Sequence, residues 1–320
     1  MNITSKYIYK LKFFKKVDSF FEVKGGKSGA KTFCVISGGK KYFVKFRKWS
    51  TPHIRDNFKM FARFVTTPQV YRVGMVDGVQ YYIAEYIGDR AKQMSRLDNA
   101  DIYNHALAIA IDQKKIAEAN PVSAYRKKKV YDEFYKETMG IYKTAIKLFD
   151  ATKESLGLDV QNFYQNIFDD IKRNAKYYLE SFLDAKPYYC HGDFKTDNFF
   201  LIDDKVVVVD FEESYFGYLP FMCRAYPYEL MRQDTIYSKE WVFTKGIIDS
   251  FYGRDIPASL KTQFLAVYYR SISQYFITRV DRPDKLEKYA KNLSLNESMV
   301  NTTQELFDFA MFEKENRRDV

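Results

Sequence analysis

Cysteine, histidine and long apolar runs are all scarce in this 320-residue chain, and each scarcity excludes something. The three cysteines, Cys34, Cys190 and Cys223, lie far apart and form no paired framework of the kind that staples small secreted domains. A reducing, cytoplasmic location is therefore expected. The three histidines, His53, His105 and His191, stand at no metal-ligand spacing with one another or with a cysteine, which argues against structural zinc. Lys, Asp or Glu interrupts every apolar stretch before the roughly 18 residues that a membrane span needs. The N-terminus has no unbroken apolar region, so neither a transmembrane helix nor a targeting segment is expected. Internal repeats and low-complexity segments are absent as well.

What is present describes a globular chain. Hydrophobic residues make up 46% of the sequence and aromatics 18%, too much apolar surface for a disordered protein. The length suffices for one large domain or two modest ones. The net charge is +10, with a local run Arg126-Lys127-Lys128-Lys129 that raises the question of a nucleic-acid or acidic-membrane partner. Lysines are spread over the whole chain and no nucleic-acid motif accompanies them. A solvated basic face explains the charge, and nucleic acid is not expected as the main partner.

Residues 1–90 read as strands around one helix. Candidate strands at 17–24 and 30–37 flank Gly25-Gly26-Lys27-Ser28-Gly29, and a third at 41–47 follows the Gly38-Gly39 turn. Ser50-Thr51-Pro52 offers a helix start for 53–65, and strands at 69–76 and 79–87 flank Asp77-Gly78. The expected order is β-β-β-α-β-β. From about 95 the periodicity is helical, and the boundary is expected between Gly88 and Arg96. The helical region, 91–320, is interrupted by strand-like Tyr188-Tyr189-Cys190, by Phe199 to Ile202, and by Val206 to Val209, the last two joined at Asp203-Asp204.

The interruption carries the chemistry. His191-Gly192-Asp193-Phe194-Lys195-Thr196-Asp197-Asn198 is followed by a short hairpin and then by Asp210-Phe211-Glu212. Phosphoryl transfer needs an oriented hydroxyl and cations that neutralise phosphate charge. Kinases meet both needs with an Asp and an Asn on one loop and a second Asp after a strand. Asp193, Asn198 and Asp210 have that spacing. The segment resembles the catalytic loop of the aminoglycoside phosphotransferase and choline kinase-like superfamily, relatives of the protein kinases. The likeness runs over nearly the whole chain and weakens beyond about residue 220.

The resemblance implies an α+β, bilobal protein kinase-like fold: a β-rich N-terminal nucleotide-binding lobe with one helix, 1–90, and a larger helical C-terminal lobe, 91–320. The second lobe would carry the catalytic loop, 191–198, and the metal-binding segment, 210–212. It implies Asp193 as the catalytic carboxylate, Asn198 and Asp210 as holders of Mg2+, His191 as support for the loop, and Lys195 as a charge on the transferring phosphate. Lys45 in Tyr42-Phe43-Val44-Lys45-Phe46 resembles the lysine that pairs with the α- and β-phosphates. That lysine usually meets a helix glutamate. Residues 53–65 contain none, and Asp56 is the nearest acidic substitute. The loop around Ser28 reads equally as an ordinary turn or as a backbone cradle for phosphates. Glu85-Tyr86-Ile87 resembles the hinge whose main chain meets the nucleotide base.

The implied activity is transfer of phosphate from ATP or GTP to a hydroxyl of a small molecule such as an aminoglycoside, choline, ethanolamine or a sugar. Two alternatives stay open: a kinase acting on a protein or a cell-envelope glycan, and a nucleotide-binding pseudokinase, suggested by the missing helix glutamate. Tyr215, Phe216, Tyr218, Tyr226, Tyr228 and Trp241 could form an aromatic box for a quaternary ammonium, although core packing accounts for such a cluster better in so aromatic a chain. Glu212, Glu213, Glu229 and Asp234 could instead supply an acidic surface for a cationic acceptor.

Overall fold

The computed structural model describes residues 5–23, 30–47, 54–211, 214–223, 239–253 and 257–294. Compactness divides the chain into two units. The first comprises Met1–Leu97, His191–Asp193 and Asp197–Ser214; the second comprises Asp98–Cys190, Phe194–Thr196 and Tyr215–Val320.

In the first unit β1 (Ser19–Glu22), β2 (Lys31–Ser37), β3 (Lys40–Arg47), α1 (Ile54–Phe61), β4 (Val70–Val76) and β5 (Val79–Glu85) follow one another in the expected order. The strands form an antiparallel sheet, β1-β2-β3-β5-β4. Two of its hairpins turn through residues that both have positive φ, Gly38 and Gly39 at 57° and 72° and Asp77 and Gly78 at 48° and 76°. Such turns match the natural twist of the paired strands. The register sets Val44 opposite Phe33 and Ile83, and Phe46 opposite Tyr81. These side chains share one face, and Ile8 and Leu11, from or beside a short 3-10 helix at Ser5–Lys10, complete the core there. Alternation along β3 sends Phe43 and Lys45 to the opposite face.

Helix α1 buries Ile54, Asn57, Phe58 and Phe61, one stripe at helical spacing, and ends four residues earlier than the sequence pattern suggests. Bonds from Arg63 N–H to Met60 O and from Phe64 N–H to Phe61 O tighten its exit. Val65-Thr66-Thr67 then leads into Pro68, a β-branched run before a residue that disfavours helix at the position preceding it. The same unit holds a second sheet of β6 (Lys92–Gln93), β8 (Phe199–Ile202) and β9 (Lys205–Val208), in the order β6-β8-β9. Its hairpin turns at Asp203 and Asp204, again both with positive φ.

The second unit contains α2 (Asn99–Ala119), α3 (Ala124–Thr152), α4 (Leu158–Glu180), α5 (Leu219–Met222), α6 (Lys239–Tyr252), α7 (Ala258–Arg279) and α8 (Pro283–Ser294). It also holds the antiparallel pair β7 (Tyr188–Cys190) and β10 (Tyr215–Gly217). Asp98 and Ser123 cap α2 and α3 by accepting the amides of Asp101 and Arg126. Rings of Phe149, Tyr164, Phe168 and Phe276 interlock between α3, α4 and α7, with centroids 4.8 to 5.9 Å apart. Helices α2 and α6 pack so closely that a Cβ at Gly246 would lie 2.7 Å from Ala106 Cβ and 2.9 Å from the carbonyl of Tyr103. Among the described residues no helix is long and apolar enough to cross a membrane.

Candidate active site

The loop that follows β7 is held by a closed set of hydrogen bonds within the first unit. His191 is fully buried, and its Nε2 lies 2.7 Å from the carbonyl oxygen of Val209. A carbonyl can only accept, so this nitrogen carries the proton, and Nδ1 is left to accept the amide of Asp193 at 3.3 Å. One tautomer of the ring satisfies both contacts. Val209 N–H in turn donates to Asn198 O at 3.0 Å. Asn198 Nδ2 returns to Asp193, donating to its carbonyl at 2.7 Å and to its carboxylate at 3.0 Å. Asp193, Asn198 and the end of β9 thus form one circuit, and Gln93 of β6 steadies it by donating to Asp197 O.

One residue beyond that circuit, Asp210 adopts φ 63°. Asp tolerates this left-handed backbone better than most side chains, at a cost of order 1 kcal/mol, and such residues concentrate at functional sites. Its carboxylate pairs with the ammonium of Lys45, which emerges from β3 and is buried. The next residue, Phe211, is fully buried against α1: its ring lies 4.9 Å from Phe58 and 4.9 Å from Phe61. Phe58 continues to Tyr82 of β5 at 5.0 Å, and Phe61 to His191 at 5.9 Å. A continuous row of rings therefore runs from the sheet through α1 to the loop. Buried aromatic pairs of this kind each add roughly 0.5–1.5 kcal/mol beyond area burial.

The donor set suits a hard cation. With Nδ2 committed to Asp193, Asn198 has Oδ1 to offer, and Asp210 has its carboxylate. Mg2+ is commonly held by one or two such oxygens together with substrate phosphates and water. Among the described residues no three His, Cys, Asp or Glu side chains gather as a metal cage.

The sequence profile of the phosphotransferase enzyme family matches residues 22–219, well over half of the chain. The chain belongs to that family. No curated protein matches it in sequence. Among solved structures, aminoglycoside phosphotransferase APH(4)-Ia superposes with a TM-score of 0.60 at 14% identity, over 92% of this chain and 97% of that one. An ethanolamine kinase of Plasmodium vivax gives 0.53 at 15% identity, over 90% and 83% of the two chains. A choline kinase of Cryptosporidium parvum gives 0.55 at 10% identity, over 90% and 93%. At such identities the likeness is one of fold, and the fold is protein kinase-like, with mixed α and β. The protein is a phosphotransferase.

The other candidate residues of the phosphotransferase sit as follows. Asp56 lies on the exposed face of α1, whereas the buried polar position of that helix belongs to Asn57. The Glu85 carboxylate accepts from Arg90 at 2.7 Å, and the Ile87 carbonyl accepts the amides of Arg90 and Ala91. Lys195 is half-buried and counts with the second unit, between Phe194, which packs on Phe243 at 5.2 Å, and Thr196. Ser28 and its glycine loop lie outside the described residues, as do Glu212, Glu213, Tyr226, Tyr228, Glu229, Asp234 and the side chain of Trp241. Tyr218 is a core residue between Phe134 and Phe182, 1% exposed, as core packing of the aromatics implied. The Phe216 ring lies under the guanidinium of Arg126 at 4.6 Å. Sequence reasoning missed Glu240, whose carboxylate binds Thr196 from 44 positions away. No local pattern links the two.

Proposed function

We propose that this phosphotransferase moves the terminal phosphate of ATP or GTP to a hydroxyl of a small molecule, in the range of aminoglycosides, choline, ethanolamine and sugars. The observation that carries the reading is the circuit joining Asp193, Asn198 and the strand end before Asp210, with Lys45 drawn onto Asp210. Asp193 is the catalytic carboxylate: it orients the acceptor hydroxyl and accepts its proton as the phosphoryl group moves. The amide of Asn198 keeps that carboxylate from rotating, so its orientation is set before the acceptor arrives. Bound at Asn198 and Asp210, Mg2+ would neutralise phosphate charge. Lys45 turns from Asp210 towards the α- and β-phosphates when nucleotide enters, and Lys195 offsets charge on the transferring group. The main chain at Glu85 and Ile87 meets the base, and the loop containing Ser28 meets the phosphates. Solved complexes of APH(4)-Ia with ADP or AMP-PNP and hygromycin B support a nucleotide donor and a small-molecule acceptor.

The test is magnesium-dependent nucleotide consumption against a panel of such acceptors, with Asp193→Asn as the blank. Turnover should require one acceptor class and fall by about 10²–10⁴-fold in the variant, the range expected for loss of a general base. Unchanged turnover in Asp193→Asn would remove the assignment.

A further inference from the structure

Glu240 lies in the first turn of α6 and is only 7% exposed. Its two carboxylate oxygens accept the amide of Thr196 at 3.0 and 3.2 Å, and Oε1 also accepts the Thr196 hydroxyl. Thr196 itself is 1% exposed. Both residues belong to the second unit. Taking a carboxylate out of water is costly unless its oxygens are bonded, and here both hydrogen-bond donors of a single residue are aimed at it. Charge-assisted bonds of this kind are the strong ones. The residue so held is neither exposed nor itself reactive. It directly follows Lys195, and it opens the 3-10 turn Thr196–Asn198 whose last member is the proposed Mg2+ holder.

We propose that Glu240 is a positioning residue for phosphoryl transfer: by holding Thr196 at two points, it fixes the backbone from which the Lys195 ammonium and the Asn198 amide project. This rests on the phosphotransfer reading above. Glu240 touches neither nucleotide nor acceptor and acts only through the loop. Outer partners that orient a metal-holding side chain typically change metal affinity by about 10–100-fold when removed. A Glu240 that merely anchored α6 would affect the melting temperature and leave metal binding alone.

The experiment uses the full chain as wild type, Glu240→Gln, Thr196→Val, Thr196→Ser and the double variant Thr196→Val/Glu240→Gln. Mn2+ binding in the presence of ADP, followed by electron paramagnetic resonance, reports the metal site without turnover. The Mg2+ dependence of nucleotide consumption reports it with turnover. Thr196→Val and Glu240→Gln should each weaken Mn2+ binding by about tenfold and raise the half-saturating Mg2+ in parallel. Thr196→Ser, which keeps the hydroxyl, should restore both, and the double variant should be no worse than Glu240→Gln alone. Should Glu240→Gln fail to fold, Thr196→Val decides by itself. Wild-type Mn2+ affinity in Thr196→Val, whatever its melting temperature, overturns the inference, as does a Thr196→Ser variant as impaired as Thr196→Val. Failure of the wild type to bind Mn2+ with ADP overturns the phosphotransfer reading, and this inference with it.

Discussion

Residues 191–211 and the helical core around α4 and α7 treat buried polar atoms in opposite ways. In the first region side-chain polar atoms find main-chain partners: His191 meets Val209 O, Asn198 meets Asp193 O, and the Ser214 hydroxyl just beyond meets His191 O. In the second, the hydroxyls of Tyr164 and Tyr218 are buried with no hydrogen-bond partner. Burial pushes the Tyr164 phenol well above its ordinary pKa, so the hydroxyl stays protonated and contributes no charge. The difference shows what each region is selected for. The loop requires oxygens and nitrogens at fixed places. The helical core requires ring volume, and tolerates an orphaned hydroxyl at a cost of roughly 1–3 kcal/mol.

The largest expected effect tests the first half of that contrast. Asp193→Asn should lose most turnover while its melting temperature stays near that of the wild type, because the Asn side chain keeps the shape and the acceptor oxygen that Asn198 uses. A drop in melting temperature matching the loss of turnover would erase the distinction between the regions. The second half is tested by Phe276→Ala. This ring is fully buried among Phe149, Tyr164 and Phe168, so its removal should cost about 3–5 kcal/mol of stability. Turnover per folded molecule should stay within about twofold. Urea denaturation and active-site titration of the same sample separate the two quantities.

The same contrast explains what could be read from the sequence. The turns Gly38-Gly39, Asp77-Gly78 and Asp203-Asp204 were legible because few residues accept positive φ at two successive positions. Lys45 was legible because it is the one basic residue inside the apolar run Tyr42–Phe46, where alternation sets it on the face opposite Val44 and Phe46. The spacing of Asp193, Asn198 and Asp210 stood out because it matches the kinase pattern, and the roles proposed for them come from the resemblance. Strands β6 and β10, two and three residues long, exist only through pairing with distant partners, and nothing local announces them. The early end of α1 reflects a β-branched run before Pro68 that a periodicity reading passes over. Glu240 was illegible for a similar reason: its meaning lies in Thr196, far away along the chain.

Two tyrosines sharpen the contrast within the helical core itself. Tyr142 donates to Ala266 O at 2.7 Å, whereas Tyr164 donates to nothing. Tyr142→Phe should therefore cost about 1 kcal/mol by removing that bond, while Tyr164→Phe should be neutral or stabilising by up to about 1 kcal/mol. Equal losses in urea midpoint for the two variants would show that the Tyr164 hydroxyl is bonded in solution.

The smallest expected effect concerns a carboxylate of the helical core whose oxygens are satisfied as fully as the polar atoms of the loop. Asp170 of α4 accepts from Tyr178, Tyr269 and Asn174 at 2.6 to 2.7 Å. Burial by itself would push this carboxyl up, but the three hydrogen bonds and the charge of Arg173 outweigh burial and hold it below the ordinary carboxylate value. A lowered pKa in the folded state means that the unfolded chain takes up the proton first as pH falls. The stabilisation is therefore fully present above about pH 5, begins to fade near the ordinary value of about 3.9, and is gone once the folded carboxyl is protonated as well. Asp170→Asn cannot titrate and has no such contribution. Its melting temperature should lie below that of the wild type at pH 6, and the gap should narrow between pH 5 and pH 3. A gap that stays constant over that interval would mean that the phenols favour the amide as much as the carboxylate, and Asp170 would then rank with the ring volume around it rather than with the loop.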